Sequence, residues 1–192
     1  MRTVRLAAFA LAAAAISPLA NAQEKGSGLP LTNVYVGLDA GASDATNTCH
    51  NLTNCDSRDT TVRGFGGWQF HPRGAVEVAY SNLGIVKSDP SGTYMRASAW
   101  EATLVGNLPL PGDAFEVLGL LGAFRGAEQG GGALAAPKET HNGLTYGVGL
   151  QLNVMPSLAV RARWQNYPSM GGQVLPKGDI NTVTVGALWR FK

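Results

Sequence analysis

Apolar side chains recur at every second position through much of this chain, the period of an extended strand with one oily and one polar face. Over residues 34–41, Val34, Val36, Leu38 and Ala40 alternate with Tyr35, Gly37, Asp39 and Gly41. The pattern is cleaner over residues 144–153, where Leu144, Tyr146, Val148, Leu150 and Leu152 oppose Thr145, Gly147, Gly149, Gln151 and Asn153. Further on, Leu158, Val160, Ala162 and Trp164 oppose Ala159, Arg161, Arg163 and Gln165. At the end, Val183, Val185, Ala187, Trp189 and Phe191 oppose Thr182, Thr184, Gly186, Leu188 and Arg190. The same reading predicts strands near residues 61–70, 75–83, 97–108 and 114–125, about eight in all. Residues 117–121 are apolar on both faces, so alternation leaves the register of the strand over 115–124 open.

The connections predicted between these strands alternate in length. Residues 43–59, 84–94, 126–141 and 167–179 form long polar links, whereas 71–74, 109–113 and 153–157 are short. An up-and-down barrel with long outer loops and tight inner turns has this rhythm, with both chain ends on the side of the turns. The direction of the faces follows from charge. Arg161, Arg163 and Arg190 facing hydrocarbon near the midplane would cost about 2–4 kcal/mol each, so the apolar face points outward. A soluble sandwich would also alternate. It would bury the oily face, however, and would rarely set Trp164, Trp189 and Phe191 near strand ends, where the aromatic girdles of a membrane barrel lie. The fold predicted is all-β: an eight-stranded antiparallel up-and-down transmembrane β-barrel.

The first residues carry a different signal. Arg2 and Arg5 precede an apolar run from Leu6 to Ile16, and Ala20, Asn21 and Ala22 then supply small residues for a signal peptidase. The run is short for a bilayer core of about 30 Å. Residues 1–22 are therefore expected to be a removed signal peptide, cut between Ala22 and Gln23, with 23–32 as a lead and 33–192 as the barrel. Of the 15 basic residues, Arg2 and Arg5 lie in that leader, leaving thirteen against 13 acids. The mature chain is neutral and offers no clustered basic surface for nucleic acid. Cys49 and Cys55 lie close together in a polar stretch, and export to an oxidising compartment predicts a disulfide between them. A metal site using His50 with both thiolates would lack a fourth ligand.

Several pieces together look familiar: residues 35–38 (YVGL), 64–70 (GFGGWQF), 75–80 (AVEVAY), 107–110 (NLPL) and 185–191 (VGALWRF). In their order and spacing they resemble the OmpA-like outer membrane β-barrel family. The resemblance covers essentially all of the mature chain. It implies an integral protein of a Gram-negative outer membrane, the barrel domain alone without the periplasmic peptidoglycan-binding domain of larger relatives. It also implies that the barrel assembly machinery reads the terminal aromatics, here Trp189 and Phe191, with Lys192 following. A monomer surrounded by outer membrane lipid is expected, its outer loops open to an extracellular ligand or host factor.

The inward face collects Asp39, Arg63, Glu77, Glu101, Arg161, Arg163 and Arg190. An eight-stranded barrel has an interior just wide enough for side chains to fill, so these charges are expected to form a plug of ion pairs; the alternative is a narrow passive channel. Chemistry finds little footing. His50 is predicted in a loop, His71 in an inner turn and His141 where a loop enters a strand, and His141 is followed by Asn142 and Gly143 where barrel lipid A deacylases have His-x-Ser. Residues 23–32, with Gly26, Gly28 and Pro30, cannot form the amphipathic helix of barrel palmitoyltransferases. A lipid-modifying enzyme would need His141, Ser169 and Asp179 to converge. No cofactor or metal is expected, and the predicted role is structural or adhesin-like.

Overall fold

The computed structural model describes residues 33–46, 55–88, 93–112, 114–131, 138–170 and 178–191. The strands are β1 (Val34–Thr46), β2 (Cys55–Asp56), β3 (Arg58–His71), β4 (Gly74–Ser88), β5 (Thr93–Pro109), β6 (Phe115–Gly131), β7 (Glu139–Met155), β8 (Leu158–Met170) and β9 (Gly178–Arg190). β2 is a two-residue rung above β3, set off by Ser57 and paired with the same neighbour, β4. The other eight are long antiparallel strands, each paired with the next, and β1 pairs β9 to close the ring. Closure leaves no unpaired edge, the condition for a sheet to stand in hydrocarbon.

The faces fall as the alternation requires. Leu38, Val78, Leu104, Leu121, Leu144, Val148 and Val185 are exposed on the outside, while Asp39, Glu77, Glu101, Thr145, Gln151, Arg161 and Arg163 are buried in the lumen. Aromatic side chains bound the apolar band at both ends. Trp68, Phe70, Phe115, Trp189 and Phe191 project near the short turns, and Tyr80, Trp100, Tyr146 and Trp164 near the opposite end. The latter meet in pairs, Tyr80 with Trp100 at 5.1 Å and Tyr146 with Trp164 at 6.0 Å. On β7 the ten residues from Tyr146 to Met155 span about 23 Å at the usual rise and tilt, close to the apolar height of about 25 Å of outer membrane barrels. The closed, girdled sheet predicts a β-rich circular dichroism spectrum, gel migration that shifts on heating, and retention in membranes washed with carbonate. Helical dichroism or carbonate release would contradict this architecture.

The open register of the sixth strand is settled by its neighbours. Leu118 pairs with Asn107 and Gly149, and Glu116 with Gln151, so the even positions from Glu116 to Phe124 face the lumen. The lumen wall there is partly apolar, because Leu118 and Leu120 share a buried cluster with Tyr35, Phe65 and Leu188.

The outer connections differ from expectation. β4 runs to Ser88 and β5 starts at Thr93, the two residues paired, so only 89–92 join them where 84–94 was expected. β6 reaches Gly131, β7 starts at Glu139, β8 reaches Met170 and β9 starts at Gly178, trimming the other two links likewise. β1 continues to Thr46, and β2 and β3 take up part of 43–59. The reason is physical: above the girdle the ladder continues in water, where neither face must be oily, so hydropathy no longer alternates. The inner turns stand at 72–73, 110–114 and 156–157, close to expectation. His71, expected in a turn, ends β3, and its Nδ1 accepts the amide of Arg73 at 3.1 Å.

The leader, the cleavage position Ala22/Gln23 and Cys49 lie outside the described residues, and of Cys55 only the backbone, paired with Ser88, is described.

Candidate functional site in the lumen

Inward positions of β1, β3, β4, β5 and β8 converge on one charged cluster at the middle of the barrel. Asp39 and Arg63 are register neighbours on β1 and β3, and Arg63 Nη1 donates to Asp39 Oδ2 at 3.1 Å. The same guanidinium donates through Nη2 to Glu77 Oε2 at 3.2 Å and through Nε to Glu101 Oε1. From the far wall, Arg161 Nη1 donates to Glu77 Oε1 and Arg163 Nη2 to Glu77 Oε2 at 2.9 Å. Glu77, fully buried on β4, thus receives three arginines.

Neutral groups complete the shell. Tyr35 donates its hydroxyl to Glu77 at 2.9 Å, and Tyr167 and Gln165 donate to Glu101 Oε2 at 2.7 and 2.8 Å. Gln151 Oε1 accepts from both Nε and Nη2 of Arg161. The Phe65 ring lies under all three guanidinium groups, at 4.7 Å from Arg63, 5.4 Å from Arg161 and 5.7 Å from Arg163. Cations held over an aromatic face gain when desolvated. Arg63, Arg161 and Arg163 balance Asp39, Glu77 and Glu101, so the cluster is neutral. Neutrality matters because an unmatched ion here would lack the solvent to screen it.

Arg190, expected among these charges, stands apart nearer the turns. Its Nη2 donates to Asn153 Oδ1 at 2.8 Å, beside a Glu116 carboxylate that accepts from Asn107, Gln151 and Asn153. Gln151 links this second network to Arg161. The void among Tyr35, Gln69, Asn107, Arg161 and Arg190 measures about 10 Å³, no more than one water needs.

Six of the seven predicted lumen charges therefore meet in one cluster. Sequence reasoning missed Glu116, whose strand had no readable register, and Tyr167, which fell in a predicted loop. Tyr167 continues the inward alternation of Arg161, Arg163 and Gln165 and pairs with Ile180, just before a register shift between Tyr167 and Met170 where Ser169 has φ 55°. It was missed because the predicted strand stopped at Gln165; the same two-residue period carried one step further places Tyr167 inside.

The enzymatic constellation does not assemble among the described residues. Asp179 accepts the backbone amide of Ser169 at 2.8 Å, while His141, near the start of β7 as expected, has its ring 6.3 Å from that of Phe124.

No curated protein matches the chain. Its fold is similar to that of Neisserial surface protein A, with a TM-score of 0.60 and 15% identity over 83% of this chain and 98% of that one. It is also similar to the N-terminal β-barrel domain of Pseudomonas aeruginosa OprF (TM-score 0.57, 11% identity, 83% and 98% covered). A third similar fold is Ail, the attachment invasion locus protein of Yersinia pestis (TM-score 0.54, 16% identity, 83% and 99% covered). The family described as outer membrane protein beta-barrel domain matches residues 6–191. With the closed ring, the girdles and the filled lumen, this match identifies the chain as a member of the outer membrane protein beta-barrel domain family, an integral protein of the outer membrane.

Proposed function

We propose that this barrel acts through its outer surface and not through its lumen, in a structural or surface-interaction role without catalysis. The observation that carries this reading is the neutral cluster on Glu77, in which side chains from opposite walls meet across the middle of the lumen. A passive channel would need those side chains to move aside against their mutual attraction. The outer connections are what remains to provide specificity, and a fold-level relative, Ail, has been solved with the heparin analogue sucrose octasulfate.

In this reading the signal peptide is removed at Ala22/Gln23, residues 33–192 form the barrel, and the assembly machinery recognises Trp189 and Phe191. The mature protein is a monomer. Its test is display on a heterologous outer membrane beside a version whose residues 47–54, 89–92, 132–137 and 171–177 are replaced by Gly-Ser connectors. Retention on surfaces coated with matrix protein or sulfated glycan should rise with the native barrel and not with the replaced one. Equal retention would reduce the role to a structural one. Single-channel recording in planar bilayers should show no conductance, and steady unitary currents would favour the channel.

The disulfide completes the proposal. In unreduced mature protein, Cys49 and Cys55 should resist a thiol reagent. Replacing both should loosen the first outer connection by about 2 kcal/mol of local order, on the chain-entropy view of a short closed ring, and leave the barrel folded. Reactive thiols in protein taken from the envelope would contradict the pairing.

A further inference from the structure

The outer wall of β5, β6 and β7 carries a recess. Between the ridges of Leu104, Leu121 and Leu144 the wall falls back to Ala102 and Gly122, opening an apolar groove of about 320 Å³. It lies inside the hydrocarbon band, just below the girdle residue Trp100. Directly opposite Trp100 on β6 is Arg125, whose other neighbour is Asn142 on β7. Four residues beyond Trp100 on the same outward face of β5 is Arg96, paired with Gln129. Lys138 flanks Gln129 from the start of β7, since the next residue, Glu139, pairs with Glu128.

Arg96, Arg125 and Lys138 are exposed, and none has an ion pair or hydrogen bond among the described residues. The acids of these strands at this level, Glu128 and Glu139, stand on the opposite, inward face, as do Glu101 and Glu116 further down. The opposite arc of the same belt has a different balance: Asp44 pairs with Arg58 at 3.3 Å and Asp179 is half-buried. Positive charge is thus gathered on one arc, at the level where lipid headgroups begin, over a recess in the apolar wall.

We propose that this arc binds a phosphorylated glycolipid of the outer leaflet, an acyl chain lying in the groove and headgroup phosphates on Arg125 and Arg96. Arg125 is four residues beyond Leu121 on one face, about 13 Å at the usual rise, which leaves room for the sugar and ester groups between tail and phosphate. Arg96 is again about 13 Å from Trp100, so the two arginines suit two phosphates of one headgroup better than a single phosphate. Guanidinium groups match phosphate oxygens through paired N–H donors.

The test uses the refolded protein in phosphatidylcholine nanodiscs, with diphosphoryl lipid A as the probe and native mass spectrometry as the readout. The combined R96S/R125S/K138S variant should bind at least tenfold more weakly, the loss expected for one charge-assisted contact. Ala102→Phe, which fills the groove and leaves the charges alone, should weaken binding several-fold, and Arg58→Ser on the opposite arc should change nothing. Heat-shifted gel migration verifies folding of each variant; should the triple variant fail it, Arg96→Ser and Arg125→Ser are read singly, each several-fold weaker. Undiminished binding by the charge variants, or equal loss in Arg58→Ser, overturns the proposal. So does undiminished binding by Ala102→Phe, or tight binding of a soluble sulfated glycan to the same arginines in detergent, which would make the arc a site for a surface polyanion.

Discussion

Replacing Glu77 by glutamine should destabilise the folded barrel by about 3–5 kcal/mol in urea titrations, the usual consequence of stripping a buried charge of its partner. Glu77 is the shared acceptor of Arg63, Arg161 and Arg163. Its loss leaves three buried arginines against Asp39 and Glu101. Adding Arg161→Met returns the cluster to two against two, so the double variant should recover much of the stability. The interaction term of this cycle measures the pairing directly. It should exceed that for Glu77 with Arg163, which shares Oε2 with Arg63, whereas Arg161 holds Oε1 together with Tyr35. The single Glu77 variant should also leak ions in planar bilayers, since the surplus cations push the plug apart. If neither stability nor conductance responds, these residues do not face one another across a packed lumen.

A second large effect is expected at Gly186, where the ring closes. Gly186 pairs with Asp39 across β1 and β9. A Cβ placed there would stand 2.1 Å from the Leu38 carbonyl oxygen and 2.2 Å from Asp39 Oδ1. Overpacking typically costs about 1–3 kcal/mol. Here the obstacle is backbone on one side and a carboxylate bound to Arg63 on the other, so little can yield. Gly186→Val should abolish heat-shifted migration after refolding, because the seam that removes the sheet's edges cannot form. Gly119→Val is the matched control: its Cβ meets nothing within 4 Å, and the variant should refold as the native chain does. Normal refolding of Gly186→Val would mean that Asp39 and Gly186 are not partners in the seam.

The sequence by itself determined which way most side chains point. The two-residue period belongs to the strand backbone, and the penalty for charge in hydrocarbon orients it, so Leu144 outside and Thr145 inside follow without knowledge of any neighbour. Strand number, closure and the candidate lumen charges follow from the same two facts. What only the tertiary structure decided is who meets whom. Arg163 and Glu77 are 86 residues apart and reach each other across the lumen; local pattern carries no record of such a contact. The register of β6 also had to come from outside, since Leu118 and Leu120 are apolar on the inner wall and Leu121 on the outer. Tyr167 reaches the cluster because β8 runs on beyond its predicted end, and strands above the girdle persist where water relaxes the demand for an oily face. In each case the deciding interaction lies between strands, where periodicity along one strand has no reach.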